Sequence, residues 1–405
     1  MRLIRNKLLT LHRFAVLAAV ATLALVSLGG LVTSHGVGMA VPDWPNTNGY
    51  NMFFFPISQW IGGIFYEHTH RLLASTVGLL TSILALWLYG TKARPFMRWT
   101  GLFFLALAIA TVIGVPKHAA DALVLALTGV ALAGASFVWP RCEPAPKWLR
   151  RLGLAAFCAV VLQGVLGGLR VVWLKDQIGI FHAALAQLFF ALMCSIALFT
   201  SRWWSEGTPK AEGRIRIWDL LIPFTTFLIL CQLVLGATMR HQHAGLAIPD
   251  FPLAYGKLWP ATDPASVALY NQHRLEVVDA NPITAFQITL QMLHRLLAGL
   301  ILVAVACCAW VSRKTPYVVR PLTLAWLGLI LMQGFLGAAT IWSNKAADIA
   351  TAHVVVGALS LALGALISII FFCSAAFLSS QTSRAVEPVP LPATPNVEYA
   401  TLNPQ

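Results

Sequence analysis

Four histidines sit in apolar stretches of this chain, each beside a short run of residues that occurs twice. His70-Arg71-Leu72-Leu73-Ala74 returns as His294-Arg295-Leu296-Leu297-Ala298. Leu162-Gln163-Gly164-Val165-Leu166-Gly167 comes before His182, and Met332-Gln333-Gly334-Phe335-Leu336-Gly337 before His353. Upstream, Gly38-Met39-Ala40-Val41-Pro42-Asp43-Trp44-Pro45 returns as Gly245-Leu246-Ala247-Ile248-Pro249-Asp250-Phe251-Pro252. The order is the same in both copies, so the chain carries an internal duplication with two histidines per half. Imidazole is a common metal ligand, and an ionisable side chain inside an apolar helix is costly and marks a site. A lone membrane histidine reads as packing or as a helix-to-helix hydrogen bond. Two pairs at equivalent positions read as two sites, each able to hold one planar metal cofactor.

Bundle cofactor sites are built from side chains facing inward from different helices, and haem iron takes axial ligands from the protein. Zinc is the rival, and it needs a third or fourth donor close by; His35, His68, His241 and His243 are candidates. The small residues beside the histidines (Ala183, Ala184, Ala186; Thr351, Ala352, Gly357) leave room for a large flat ligand and favour haem. Arg71 and Arg295 are placed either to pair with a haem propionate through the planar guanidinium or to snorkel to the interface. Three residues before the helix histidines the copies differ: Glu67 in the first, Gln291 in the second. Positions i and i+3 share a helix face, so Glu67 and His70 are expected to face one cavity. There the carboxylate would accept or relay protons. The plain alternative is a helix-end carboxylate paired with Arg71 at i+4.

The elements that position these residues are membrane helices. The chain is 58% hydrophobic and 11% charged, and apolar runs of about 20 residues, the length that crosses a bilayer as helix, recur along it. They predict spans at 14–33, 62–90, 99–116, 121–138, 152–172, 179–200, 217–238, 284–311, 321–341 and 348–378. Basic residues collect in alternate loops: Arg2, Arg5, Lys7, Arg13; Lys92, Arg94, Arg98; Arg141, Lys147, Arg150, Arg151; Arg202, Lys210, Arg214, Arg216; Arg313, Lys314, Arg320. The positive-inside rule then puts both termini in the cytoplasm and the histidines toward the periplasmic face of a bacterial inner membrane. The net charge of +13 is accounted for by these topology determinants beside anionic lipid, and no nucleic-acid partner is expected. The basic N-terminus followed by an apolar stretch resembles a signal peptide. It leads into the first Pro-Asp-Trp-Pro loop as 217–238 leads into the second, and so reads as a retained span. Seven cysteines without a Cys-x-x-Cys pair read as small core residues.

The expected fold is an all-α polytopic membrane helical bundle of about ten transmembrane helices, two four-helix halves related by an internal parallel repeat. Residues 1–98 and 151–203 form the N-terminal half and 214–378 the C-terminal half. His70 and His182 are 112 positions apart, His294 and His353 only 59. The excess of 53 fits an inserted two-helix hairpin at 99–150, turning at Val115-Pro116-Lys117-His118 and entering and leaving at the cytoplasmic face. The tail, 379–405, reads as disordered. The long loops 34–61 and 239–283 carry the repeated Pro-Asp-aromatic-Pro motif and read as ordered caps over the sites.

Taken together, Gly-x-Gly-Met-Ala-x-Pro-Asp-Trp-Pro at 36–45, Glu-x-x-His-Arg-Leu-Leu at 67–73, Leu-Gln-Gly-Val-Leu-Gly-Gly-Leu-Arg-Val at 162–171, His182 and the second-half copies resemble the heme A synthase family. The likeness runs from about residue 14 to 375, interrupted by 99–150. The resemblance implies an oxidoreductase that oxidises a methyl group of heme O to a formyl group by successive hydroxylations, supplying the cofactor of cytochrome oxidase. It implies heme b as electron-transfer cofactor on His294 and His353, the substrate haem on His70 and His182, and an acid at Glu67 needed for activity. The partners implied are heme O, membrane lipid, a heme O synthase, cytochrome oxidase assembly factors and a quinone or other electron partner. Many members carry a cysteine pair in the first outer loop where this chain has Val41 and Thr47, and the two added helices are unusual. Two other classes compete: a non-enzymatic di-haem b cytochrome, which leaves Glu67 without a purpose, and a repeat-built transporter, which the near-surface histidines argue against.

Overall fold

The computed structural model describes residues 2–114, 118–205, 220–273, 282–314 and 319–385. Val115, Pro116 and Lys117 of the expected hairpin turn, the basic residues Lys210, Arg214 and Arg216, and 386–405 of the expected tail lie outside the described residues. A bilayer core offers no water to backbone polar groups, so apolar segments close their hydrogen bonds internally as helix. Among the described residues nine segments are long and apolar enough to cross a membrane; one of them, Gly62–Gly114, contains two helices joined by a 3-10 turn at Gly90–Lys92. The long helices are α1 (Arg2–Ser34), α2 (Gly62–Tyr89), α3 (Ala93–Gly114), α4 (Ala119–Val138), α5 (Lys147–Trp173), α6 (Asp176–Phe199), α8 (Leu221–His241), α10 (Ala285–Val311), α11 (Val319–Trp342) and α12 (Ala347–Ala385). Two short ones, α7 (Arg202–Ser205) and α9 (Pro264–Gln272), lie between them. Apart from two isolated bridges in the loops, no extended pairing occurs among the described residues. The protein is an all-α, multi-pass membrane bundle.

Two boundaries moved for a physical reason. Helix α3 starts at Ala93, because the chain re-enters helix directly after the turn at Gly90. There φ is +56° and a Cβ would sit 2.4 Å from the Cys142 carbonyl oxygen, which restricts the position to glycine. Helix α12 continues to Ala385, so residues 379–385 of the expected tail are helical; no glycine or proline stops the helix before Pro388. The cysteines fit the core reading only in part. Cys308 is buried, while Cys158 and Cys307 are exposed on the bundle surface.

Packing divides into two cores. Ala15 and Ala18 of α1, Val77, Leu84 and Leu88 of α2, Ala156 of α5 and Met193 and Ile196 of α6 form one. Ile222 and Ile229 of α8, Ile301 and Val305 of α10, Trp326 and Ile330 of α11 and Leu361 and Ile367 of α12 form the other. A smaller cluster of Phe190, Ala358 and Ala362, flanked by Leu23 and Val26, joins α6 and α1 to α12. Helices α3 and α4 pack chiefly on each other. Gly101 and Gly129 bring their backbones so close that a Cβ at either would lie 2.7–2.8 Å from the facing helix. At the far end of this arm Asp121 accepts from the Asn51 side-chain amide at 2.7 Å and is 2.8 Å from His118 Nδ1. The arm therefore leans on the first long loop.

That loop and its counterpart fold alike. Thr47 and Tyr50 exchange backbone hydrogen bonds, as do Ala254 and Lys257. The two residues between them have positive φ in each copy: Asn48 (+49°) and Gly49 (+81°), Tyr255 (+52°) and Gly256 (+71°). That is the turn conformation which favours Asn-Gly. Asp43 accepts from the amides of Asn48 and Gly49, both at 2.8 Å; Asp250 accepts from Tyr255 and Gly256 at 2.7 and 2.9 Å. Trp44-Pro45 and Phe251-Pro252 are both cis.

Trp326 is fully buried, donates its indole N–H to the Ser360 carbonyl at 2.9 Å and lies against Gly364. Trp326→Ala is expected to cost about 3–5 kcal/mol, read as a lowered unfolding midpoint in detergent micelles.

Candidate cofactor sites in two histidine pairs

Each cap is fastened to the helix that carries a histidine. In the first copy Arg71 donates through Nη1 to the carbonyls of Asp43 (2.7 Å) and Asn46 (2.8 Å), and through Nη2 to Val41 (2.9 Å) and Glu67 Oε1 (2.8 Å). In the second, Arg295 donates to Leu253 (2.8 Å) and Asp250 (2.7 Å) and stacks over the Phe251 ring. Arg71 and Arg295, which the sequence offered either to haem propionates or to the interface, are bonded to the loops. Their terminal nitrogens are occupied by the loop backbone, whose carbonyls would otherwise go unmet.

Glu67 and Gln291 take equivalent places and do equivalent work. Glu67 is 4% exposed, accepts from the Val41 amide at 2.9 Å and is ion-paired to Arg71. Gln291, 2% exposed, accepts from the Ile248 amide at 2.7 Å. One carboxylate oxygen of Glu67 thus meets the cap and the other meets Arg71 on the same helix, whereas the i and i+3 spacing points to a cavity shared with His70. The i+4 pairing with Arg71, raised as the plain alternative, is formed.

The histidines are placed by glycines on neighbouring helices. A Cβ on Gly29 of α1 would lie 3.0 Å from His70 Cε1 on α2, and one on Gly236 of α8 would lie 3.3 Å from His294 Cε1 on α10. Gly167 of α5 stands in the same way to His182 on α6 (3.4 Å), and Gly337 of α11 to His353 on α12 (3.2 Å). One relation is repeated four times. Gln163 donates to the His182 carbonyl at 3.0 Å and Gln232 to the His294 carbonyl at 2.9 Å, fixing those backbones. In all four rings Nδ1 is buried without a hydrogen-bond partner. A buried unmet nitrogen is costly to keep, and its recurrence marks these rings as more than packing.

His294 and His353 face each other with ring centroids 6.4 Å apart. Two metal–imidazole bonds of about 2 Å each would span a gap of this size, so His294 and His353 would be able to hold one metal ion between them. Of the candidate third donors for zinc, His35 and His68 are engaged elsewhere, while His241 is a neighbour of His182. His35 stacks on Tyr66 at 4.7 Å, and His241 lies against Gly179. His68 is fully buried beside Thr47 Oγ1 at 3.1 Å, between Phe55 and Trp60. His243 precedes the short turn Ala244–Leu246 with φ +53° and makes no side-chain cap bond to it. Among the described residues no group of three or more His, Cys, Asp or Glu could hold a metal ion. Two imidazoles with no further protein donor suit an iron whose other ligands come from a macrocycle.

Sequence reasoning passed over three features. The sequence gives Val41 and Thr47 no contacts; both are fully buried, and Thr47 is the partner of His68. Arg170 lay inside a quoted motif without a role, and Arg240 lay just beyond a predicted span. Both arginines reach the space between the two histidine pairs. Gly29 and Gly236 stand outside the repeated motifs, and only their shared offset from the loops could have found them.

Repeated caps and repeated histidines, carried on packed apolar helices, define a multi-pass membrane bundle protein. The chain belongs to the COX15-CtaA family of cytochrome oxidase assembly proteins, whose pattern matches residues 118–365. Heme A synthase of Geobacillus kaustophilus is 24% identical over 359 residues, covering 85% of this chain and 86% of that protein. Heme A synthase of Shouchella clausii is 22% identical over 269 residues (65% and 70%). That of Symbiobacterium thermophilum is 34% identical over 149 residues (34% and 47%).

Arg71→Ala or Arg295→Ala leaves several loop carbonyls unmet. Each is expected to destabilise its cap by about 3 kcal/mol, read as faster limited proteolysis within 40–50 or 247–257.

Proposed function

We propose that this protein makes heme A, oxidising a methyl group of heme O to a formyl group by successive hydroxylations for cytochrome oxidase. The observation that carries this reading is the facing His294–His353 pair at 6.4 Å, in a chain whose relatives are named heme A synthase. His294 and His353 hold heme b in the half formed by 214–378, and His70 and His182 hold heme O in the half formed by 1–98 and 151–203. The segment 99–150 is an inserted arm. Both termini are cytoplasmic and both sites lie toward the periplasm. Bound iron porphyrin supplies the redox chemistry. The chain's own residues orient the rings through Gly29, Gly167, Gly236 and Gly337, and cover the sites with the Arg71- and Arg295-fastened caps.

Glu67 is the acid of the reactive half. The Val41 amide and Arg71 hold its carboxylate in place beside the helix turn that carries His70. Glu67→Gln reproduces the second-half arrangement of Gln291. It is expected to keep the cap and the haem while losing turnover. Normal turnover would confine Glu67 to holding the cap. His294→Ala or His353→Ala is expected to lose the bound b-type haem, read from its absorption bands in purified protein.

The reaction is tested by co-expression with a heme O synthase in a host lacking heme A, followed by mass analysis of extracted haems. Hydroxymethyl or formyl haem is the expected product. Unchanged heme O from a folded, haem-loaded protein would point instead to a di-haem electron carrier.

A further inference from the structure

The caps consume the arginines that the motif made obvious, and two other arginines remain between the sites. Arg240, the penultimate residue of α8, crosses the seam between the cores, donating to the Gly30 carbonyl of α1 at 2.6 Å and to the Ser34 hydroxyl. The seam is tight here: a Cβ on Gly30 would lie 2.9 Å from Thr351 of α12, and Ser34 Oγ is 3.4 Å from Thr351 Oγ1. Thr351 is two residues from His353, and Arg240 is among the charged neighbours of that ring. On the other side Arg170, near the end of α5, lies 3.2 Å from where a Gly38 Cβ would be, just under the first cap. It is a charged neighbour of His182 and of Arg240. Beside them His241 fits against α6 only because position 179 is glycine, where a Cβ would fall 2.3 Å from the ring.

This places two guanidinium groups and an imidazole together where water is scarce. Glu67 and Asp176 are the carboxylates that Arg170 senses, but neither forms an ion pair with it, and Glu67 is already held by Arg71. Like charges at the edge of a membrane core call for an anion. The fork of Arg suits a carboxylate.

We propose that Arg170 and Arg240 bind the carboxylate side chains of the porphyrins in the two sites, Arg170 for the ligand of His70 and His182 and Arg240 for that of His294 and His353. The proposal rests on the haem reading above. The propionates then point into the seam, so the charges beside both irons are set in one place, shared by the two halves.

The test loads the full-length protein with iron protoporphyrin IX or with its dimethyl ester, which lacks the carboxylates, and measures transfer of each to apomyoglobin. The wild type is expected to release the ester about tenfold faster, the effect of losing one charge-assisted hydrogen bond. In Arg240→Gln and Arg170→Gln the difference should shrink, and in the double variant it should vanish while the bis-histidine spectrum persists. The midpoint potential should fall in Arg240→Gln and recover in part in Arg240→Lys, a variant that keeps the charge should the glutamine disturb folding. Wild-type discrimination between acid and ester in the double variant would overturn the proposal and leave the haem reading standing. A wild type that takes up neither porphyrin on two histidines would overturn the haem reading, and this proposal with it.

Discussion

One guanidinium filled by backbone carbonyls holds each long loop to a histidine-bearing helix, and the placement of both sites depends on that bond set. An unpaired arginine at this depth would be costly, and so would loop carbonyls turned away from water. Each meets the other's need. The residue four positions earlier, Glu67 or Gln291, accepts the loop amide at Val41 or Ile248. A single helical turn therefore satisfies both the donors and the acceptors of the cap. The histidine lies on that same turn, so cap and imidazole share one anchor.

Within this shared frame the two copies differ in polarity. The first keeps Glu67 where the second has Gln291, and the His68–Thr47 pair where the second has Met292 and Ala254. The first also carries Arg170, whose counterpart in the repeat is Thr340, and its cap is braced by the α3–α4 arm through Asn51 and Asp121. The second cap encloses an apolar cluster of Ile248, Ala254, Ile283, Ile288 and Met292. Every one of these differences makes the first copy the more polar.

The spans were legible because apolar length and charge distribution set them. The histidines and loops were legible because duplication printed them twice. Partners across helices were not. Spacing at i and i+3 places Glu67 and His70 on neighbouring parts of one helix, but it cannot say that the cap supplies an amide and a guanidinium nearer than any cavity. Arg71 reads as a partner for Glu67 or for a propionate, because its other acceptors are carbonyls, which every residue has. Arg240 and His241 lie in a predicted loop, and their place against Gly30 and Gly179 follows from how one half docks on the other. No repeat within a half encodes that docking. The same blindness hid Gly29 and Gly236, whose meaning lies in a ring on another helix.

The seam also bears on why two similar halves stay in one chain. Helices α1, α6, α8 and α12 meet there through small residues, Gly30, Gly179, Ala358 and Ala362, that allow close approach. Hydrophobic attraction between helices is weak inside a bilayer, so directional bonds carry more of the pairing. At the capped end those bonds come from Arg240 to Gly30 and Ser34, and Gly30 and Ser34 in turn touch Thr351 beside His353. A histidine of one pair is thus positioned partly by a helix of the other core. Separating the halves would expose a cation and loosen that ring together, which ties the integrity of the second pair to the presence of the first half.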